Sequence, residues 1–277
     1  MAVRIVSGIV GITVAAFVIQ TGGAVFCAAV LLLMAAGWHE FAQAFRHKGI
    51  SPAYWSGMAA MVCFWGAVYL GQAELLTAAA TLFSLWLMLQ AVLCHRSFSV
   101  PQALVSTAGV MYVGLPFVHL MLLRFWRAGE MVPTIAGEME AGCAWFWLAM
   151  IGTWASDTFA YFAGMNFGRT KLCETISPKK TREGLWGGVV GTALSVAALG
   201  GSMGRPVLPM LGLGVAIALV ATVGDLVESV VKRYAGIKDS GTLIPGHGGV
   251  LDRFDSAMFV IPFVYYFLRL MEAWGWR

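Results

Sequence analysis

Apolar stretches of roughly 17 to 25 residues recur along the chain, and each is long enough to cross a hydrocarbon layer about 30 Å thick. Nine can be marked, at 5–21, 23–43, 53–71, 73–94, 102–123, 142–164, 186–203, 206–232 and 252–273. They predict an all-α polytopic membrane protein, a bundle of about nine transmembrane helices forming a single integral membrane domain over 1–277. No room is left for a separate soluble domain. The first stretch follows Arg4, as a signal peptide would, but only Thr21, Gly22 and Gly23 separate it from the second, so a retained helix is expected.

Composition sharpens this picture. The 277 residues are 59% hydrophobic and 12% charged, with a mean hydropathy of +0.78, whereas soluble domains are about a quarter charged. The five cysteines (27, 63, 94, 143 and 173) are odd in number and form no CxxC pair, which argues against a disulfide framework and a zinc site. The +4 net charge matters less than its distribution. With nine spans, 13 of the 18 Lys and Arg residues fall on the side of the N-terminus and the even-numbered loops. Basic residues near spans favour the cytoplasm, so the N-terminus and these loops are expected there and the C-terminus opposite.

Residues 1–141 are nearly pure membrane helix with short connections, and their polar residues invite structural explanations. His39 and Glu40 sit near the end of the second stretch, where solvated side chains are expected. Trp55, Trp65, Trp86 and Trp145 fit lipid-facing, interfacial or packing roles, and Gly66, Gly109 and Gly114 fit close helix approach. Beyond residue 141 the loops lengthen and charge enters the spans, so chemistry is expected in 142–277.

Asp157 lies inside the sixth stretch and Asp225 inside the eighth. An ionisable group there costs about 2.5–3.5 kcal/mol on insertion scales, so each should face a polar cavity. Asp225, Glu228, Ser229 and Lys232 follow at i, i+3, i+4 and i+7 and share one helix face. A Glu228–Lys232 ion pair is the bland reading, and it leaves Asp225 still in need of a cation.

Two loops add complementary chemistry. Between the eighth and ninth stretches, Gly246, Gly248 and Gly249 free the backbone to approach an anion, and Asp252 and Asp255 open the next helix one turn apart. Helix capping explains those carboxylates equally well. The sixth loop carries Ser177-Pro178-Lys179-Lys180-Thr181, an extended run of hydroxyls and cations suited to polyphosphate oxygens.

The stretch from Ser229 to Asp255 resembles the signature of the phosphatidate cytidylyltransferases, or CDP-diacylglycerol synthases. The matching positions are Ser229, Lys232, Arg233, Lys238, Asp239, Gly241, Pro245, His247, Gly248, Gly249, Asp252, Arg253 and Asp255. Ser156-Asp157-Thr158 with Ala160-Tyr161, and Ser177 to Thr181 with Glu183-Gly184, resemble the family too, so the likeness covers about 150–260. The resemblance implies a membrane-embedded nucleotidyltransferase, often dimeric, converting CTP and phosphatidate to CDP-diacylglycerol and pyrophosphate with Mg²⁺ and room for a second cation. Its partners are then CTP, phosphatidate and the bilayer, with no nucleic acid.

On that reading Asp225 and Asp252 are the metal ligands and should approach within roughly 8 Å. Lys232 and Arg253 join them as catalytic groups. Arg233 and Lys238 offset further phosphate charge, and the Gly248-Gly249 backbone contacts phosphate oxygens. His247 orders the loop or donates a hydrogen bond, since a phosphate nucleophile is already ionised near neutral pH. Asp157, Ser177, Lys179, Lys180, Thr181, Ser229, Asp239 and Asp255 are expected to line the substrates. A cation-coupled transporter would use Asp157 and Asp225 but leaves both loops unexplained. A CTP-dependent enzyme acting on an archaeal-type lipid or a polyprenol differs only in its acceptor.

Overall fold

The computed structural model describes residues 2–243 and 248–275. Their element order is α1 (Ala2–Thr21), α2 (Gly23–His47), α3 (Tyr54–Tyr69), α4 (Leu75–Leu93), α5 (Val100–Gly109), a π-helical turn (Val110–Gly114) and α6 (Leu115–Arg124). Then come β1 (Met131–Thr134), β2 (Gly137–Glu140), α7 (Ala141–Phe167), β3 (Lys171–Cys173), β4 (Ser177–Thr181), α8 (Arg182–Ser202), α9 (Val207–Ala235), α10 (Leu251–Phe254) and α11 (Ala257–Ala273). Helices therefore stand in each of the nine apolar stretches. Among the described residues five helices are long and apolar enough to cross a membrane: Gly23–His47, Leu75–Leu93, Val100–Arg124, Arg182–Ser202 and Val207–Ala235. The protein is mostly helical and multi-pass. α3 and α11 are shorter, at 16 and 17 residues, and the ninth stretch is interrupted between α10 and α11.

Two antiparallel hairpins, β1–β2 and β3–β4, were not legible as strands from hydropathy. Their strands have only three to five residues, too few for an alternating pattern to stand out. The extended character expected of Ser177 to Thr181 is present, because this run is β4.

The chain packs as two compact units, the first comprising Met1–Leu122 with Val231–Phe254 and the second Leu123–Val230 with Asp255–Arg277. The boundary at 230/231 falls within α9. In the first unit the core is built on α2, whose Met34, Trp38 and Phe41 are buried with Met61, Phe64, Leu87 and Phe117. Glycines admit the large rings: a side chain at Gly57 would strike Trp38, and one at Gly109 would strike Phe41. Gly114 likewise faces Phe64, whereas a side chain at Gly66 would meet nothing within 4 Å, so close approach explains only two of the three glycines singled out from sequence. The π turn ends two residues before Pro116, which has no N–H with which to continue the ladder.

In the second unit α7 and α8 run against each other through small residues. Gly187 and Gly188 meet Ala163 and Ala160, and Gly191 faces Phe159. Gly184, Gly188 and the parallel pair Gly187, Gly191 have the four-residue spacing that lets membrane helices approach closely. This packing holds α7 beside β4 and the start of α8, where Thr181 caps the helix by accepting a hydrogen bond from Gly184 N at 3.1 Å. Among the tryptophans singled out from sequence, Trp55 and Trp86 are exposed, while Trp145 is fully buried. All five cysteines are free.

Candidate functional site

The signature loop of the first unit closes on two carboxylates. Asp252, in α10, is buried, and its Oδ2 accepts hydrogen bonds from Ser240 N and Gly249 N, both at 2.8 Å. Its Oδ1 accepts from the Lys232 ammonium at 2.8 Å. Burial pushes the carboxyl up, but Lys232 and the backbone donors of Gly249 and Ser240 outweigh it and bring it down to about 2 from 3.8. Asp252 is therefore an anion throughout the neutral range. Gly248 turns with φ +87°, and a side chain there would run into Asp252 Oδ2. That conformation and that proximity both require glycine.

The second carboxylate is Glu40, from α2. It is 5% exposed, so the solvated interfacial role expected of it is corrected. Its Oε1 accepts from Val250 N at 2.8 Å, and its Oε2 from Leu251 N at 3.0 Å. Ser240 Oγ lies 3.0 Å from Glu40 Oε2 and 2.9 Å from Asp252 Oδ2, joining the two carboxylates through one hydroxyl. Side chains at Gly241 or Gly249 would collide with Glu40. The signal in the sequence was available: Glu40 lies inside the apolar stretch 23–43, where the cost argument applied to Asp157 and Asp225 applies equally.

Beside this loop is a cavity of about 1340 Å³, lined in part by His39, Glu40, Gln43 and His47 of α2 and by Lys238, Asp239, Ser240, Gly248 and Arg253. Lys238, Asp239 and Arg253 are exposed, as is Arg233 nearby in sequence. The Gly249 N–H, a candidate phosphate contact, is directed at Asp252 in this structure. His247 lies outside the described residues.

The second unit holds the other cluster. Lys180, on β4, pairs with Asp225 of α9 at 2.7 Å, both half-buried, and Ser229 Oγ donates to the other oxygen of Asp225 at 3.3 Å. The cation that Asp225 needs is thus supplied by the basic loop itself. A cavity of about 530 Å³ adjoins the pair and is lined by Asp157, Lys179, Thr181, Tyr161, Met165, Leu185 and others. Ser177 is half-buried on β4 and pairs with Cys173, and Lys179 is exposed. Asp255 accepts a short bond from Ser256 N at 2.6 Å, a local turn contact.

The structure therefore groups Lys232, Lys238, Asp239, Gly248, Gly249, Asp252 and Arg253 around one loop, and Asp157, Lys179, Lys180, Thr181, Asp225 and Ser229 around one cavity. Asp225 and Asp252 belong to different units. Among the described residues no group of three or more His, Cys, Asp or Glu could hold a metal. Hard carboxylate oxygens nevertheless suit Mg²⁺, which is commonly held by one or two carboxylates together with substrate phosphates.

In this arrangement a glycine-bearing loop closes on two buried carboxylates, with lysines and an arginine about it. The sequence matches the cytidylyltransferase family over residues 2–271, and the chain belongs to that family. It is 37% identical to a phosphatidate cytidylyltransferase of Synechocystis, the alignment covering 97% of this chain and 96% of that one. It is also 31% identical to the phosphatidate cytidylyltransferase of Bacillus subtilis, over 97% and 98% of the two chains. A chloroplastic phosphatidate cytidylyltransferase of Arabidopsis thaliana is 36% identical over 94% of this chain and 70% of its own length.

Proposed function

We propose that this membrane nucleotidyltransferase moves the CMP moiety of CTP onto phosphatidate, giving CDP-diacylglycerol and pyrophosphate. The observation that carries the reading is the Asp252 network beside a large cavity flanked by Lys238 and Arg253, in a chain whose full-length relatives bear that activity in their names. A phosphatidate oxygen attacks the α-phosphorus of CTP, and the bond to the β-phosphate breaks as pyrophosphate leaves. Two polyanions must meet, so positioning and charge neutralisation supply most of the catalysis.

Lys232, Arg233, Lys238 and Arg253 offset phosphate charge, and Lys179 and Lys180 do so from the basic loop. Asp225 and Asp252 would hold Mg²⁺, which when bound neutralises triphosphate oxygens. Lys180 and Lys232, which pair with these carboxylates at 2.7 and 2.8 Å, would be the nearest cations to offset substrate phosphate there. Ser177, Thr181, Ser229, Asp157, Asp239 and Asp255 line the substrates, and His247 orders the loop. The reading keeps one integral membrane domain of about nine spans with a polar cavity open to the cytoplasm, and allows a homodimer.

Purified protein in detergent, given labelled CTP, Mg²⁺ and defined phosphatidate, should form CDP-diacylglycerol and pyrophosphate in equal amounts. Label appearing only on an endogenous archaeal-type lipid, or transferred as a single phosphate to a polyprenol, would replace the acceptor assigned here. The basic asymmetry supports a cytoplasmic N-terminus and cytoplasmic loops around Lys179 and Gly248. A cysteine placed at position 180 and labelled only from outside intact cells would reverse that orientation.

A further inference from the structure

Among the described residues the carboxylate of Glu40 takes part in three hydrogen bonds, all with the signature loop, yet it lies about 200 residues away in the chain. We propose that Glu40 is a positioning residue of the transfer reaction, setting the loop geometry that places Asp252 and Ser240. The inference rests on the reading of Asp252 as a reaction carboxylate.

Val250 immediately precedes α10 and Leu251 begins it; this helix holds Asp252, and the N–H groups of both residues terminate on Glu40. Ser240 closes the other end of the loop, with its N–H on Asp252 and its hydroxyl between the two carboxylates. The loop is thereby pinned at both ends by acceptors only, Glu40 from α2 and Asp252 from within. A hydroxyl has one proton, so Ser240 donates to one carboxylate at a time and couples the position of one to the other. Charge-assisted bonds of this kind are roughly twice as strong as neutral ones. Removing Glu40 leaves two buried N–H groups unpaired at the start of α10, and the loop must shift to hydrate them.

Glu40→Gln keeps the volume and one acceptor oxygen. Its amide can satisfy Val250 N–H or Leu251 N–H but not both, while Glu40→Ala satisfies neither. The test uses the full chain in detergent, with CTP, defined phosphatidate and a Mg²⁺ titration. Glu40→Ala should lower kcat by about 100-fold and Glu40→Gln by about 10-fold, following the loss of one or more oriented donors or acceptors. Both should raise the Mg²⁺ concentration needed for half-maximal rate at least several-fold, an effect that mere loss of folded protein does not produce.

Should Glu40→Ala fail to fold, Glu40→Gln and Ser240→Ala carry the same expectation without an emptied pocket. In an Asp252→Asn background, Glu40→Gln should cost less than threefold further, because it acts through that residue. A folded Glu40→Gln protein with unchanged kcat and Mg²⁺ dependence, beside an inactive Asp252→Asn protein, overturns the positioning role alone. A fully active Asp252→Asn protein overturns instead the assignment of Asp252 on which it stands.

Discussion

Two lysine–aspartate pairs of nearly equal length, Lys232–Asp252 at 2.8 Å and Lys180–Asp225 at 2.7 Å, stand in very different surroundings. The Asp252 side chain is 4% exposed and has further donors from Ser240 and Gly249. That of Asp225 is 27% exposed, shares a cavity with Asp157 and Lys179, and among the described residues has a long hydroxyl contact from Ser229 besides its lysine. Distance alone would rank the two alike. Their surroundings make one a fixed acceptor, insulated from solvent, and the other an adjustable pair that water can reach and partners can exchange.

The comparison breaks first if the two carboxylates do not serve one step. Asp225→Asn and Asp252→Asn should each reduce turnover by on the order of 10³-fold, and the double variant should be little worse than either. Multiplying losses in single-turnover measurements would mean independent roles. A smaller effect separates the lysines by stability. Lys232→Ala leaves a buried carboxylate short of its cation and should cost about 3 kcal/mol in detergent denaturation, whereas Lys180→Ala should cost about 0.5–1 kcal/mol. Equal costs would erase the distinction drawn from burial.

A further effect is on the acid limb of stability. The folded Asp252 carboxyl, held at about 2, is depressed below its ordinary 3.8. Its contribution is therefore complete above pH 4 and lost as pH falls from about 4 towards 2, amounting to roughly 2 kcal/mol. Asp252→Asn should flatten stability over that window. An unchanged acid limb would show that the network does not hold the anion as described.

The helices were legible because a membrane span imposes length and apolarity on its own residues, and the signature loop because its glycines, cations and carboxylates lie within one short run. What escaped was non-local. Lys180 as the partner of Asp225 joins β4 to α9 across 45 positions, and no local spacing rule reaches that far. The hairpin that carries Lys180 is too short to announce itself by alternation. Glu40 was misread because its neighbours suggested an interface, although Trp38 and Phe41 beside it are buried core residues. The glycine pairs of α8 were visible in the sequence and foretell its packing on α7, yet they were not singled out among 33 glycines.

The long span between Glu40 and its donors also imposes an order in time. Ser240, Val250 and Leu251 follow it by 200 to 211 residues, and chains are extended at about 5–20 residues per second. The carboxylate is thus synthesised roughly 10 to 40 seconds before anything that will bind it. During that interval water or lipid headgroups must solvate it. Arrival of the C-terminal loop then exchanges that shell for two backbone amides and a hydroxyl, so this part of the molecule matures among the last steps of biogenesis.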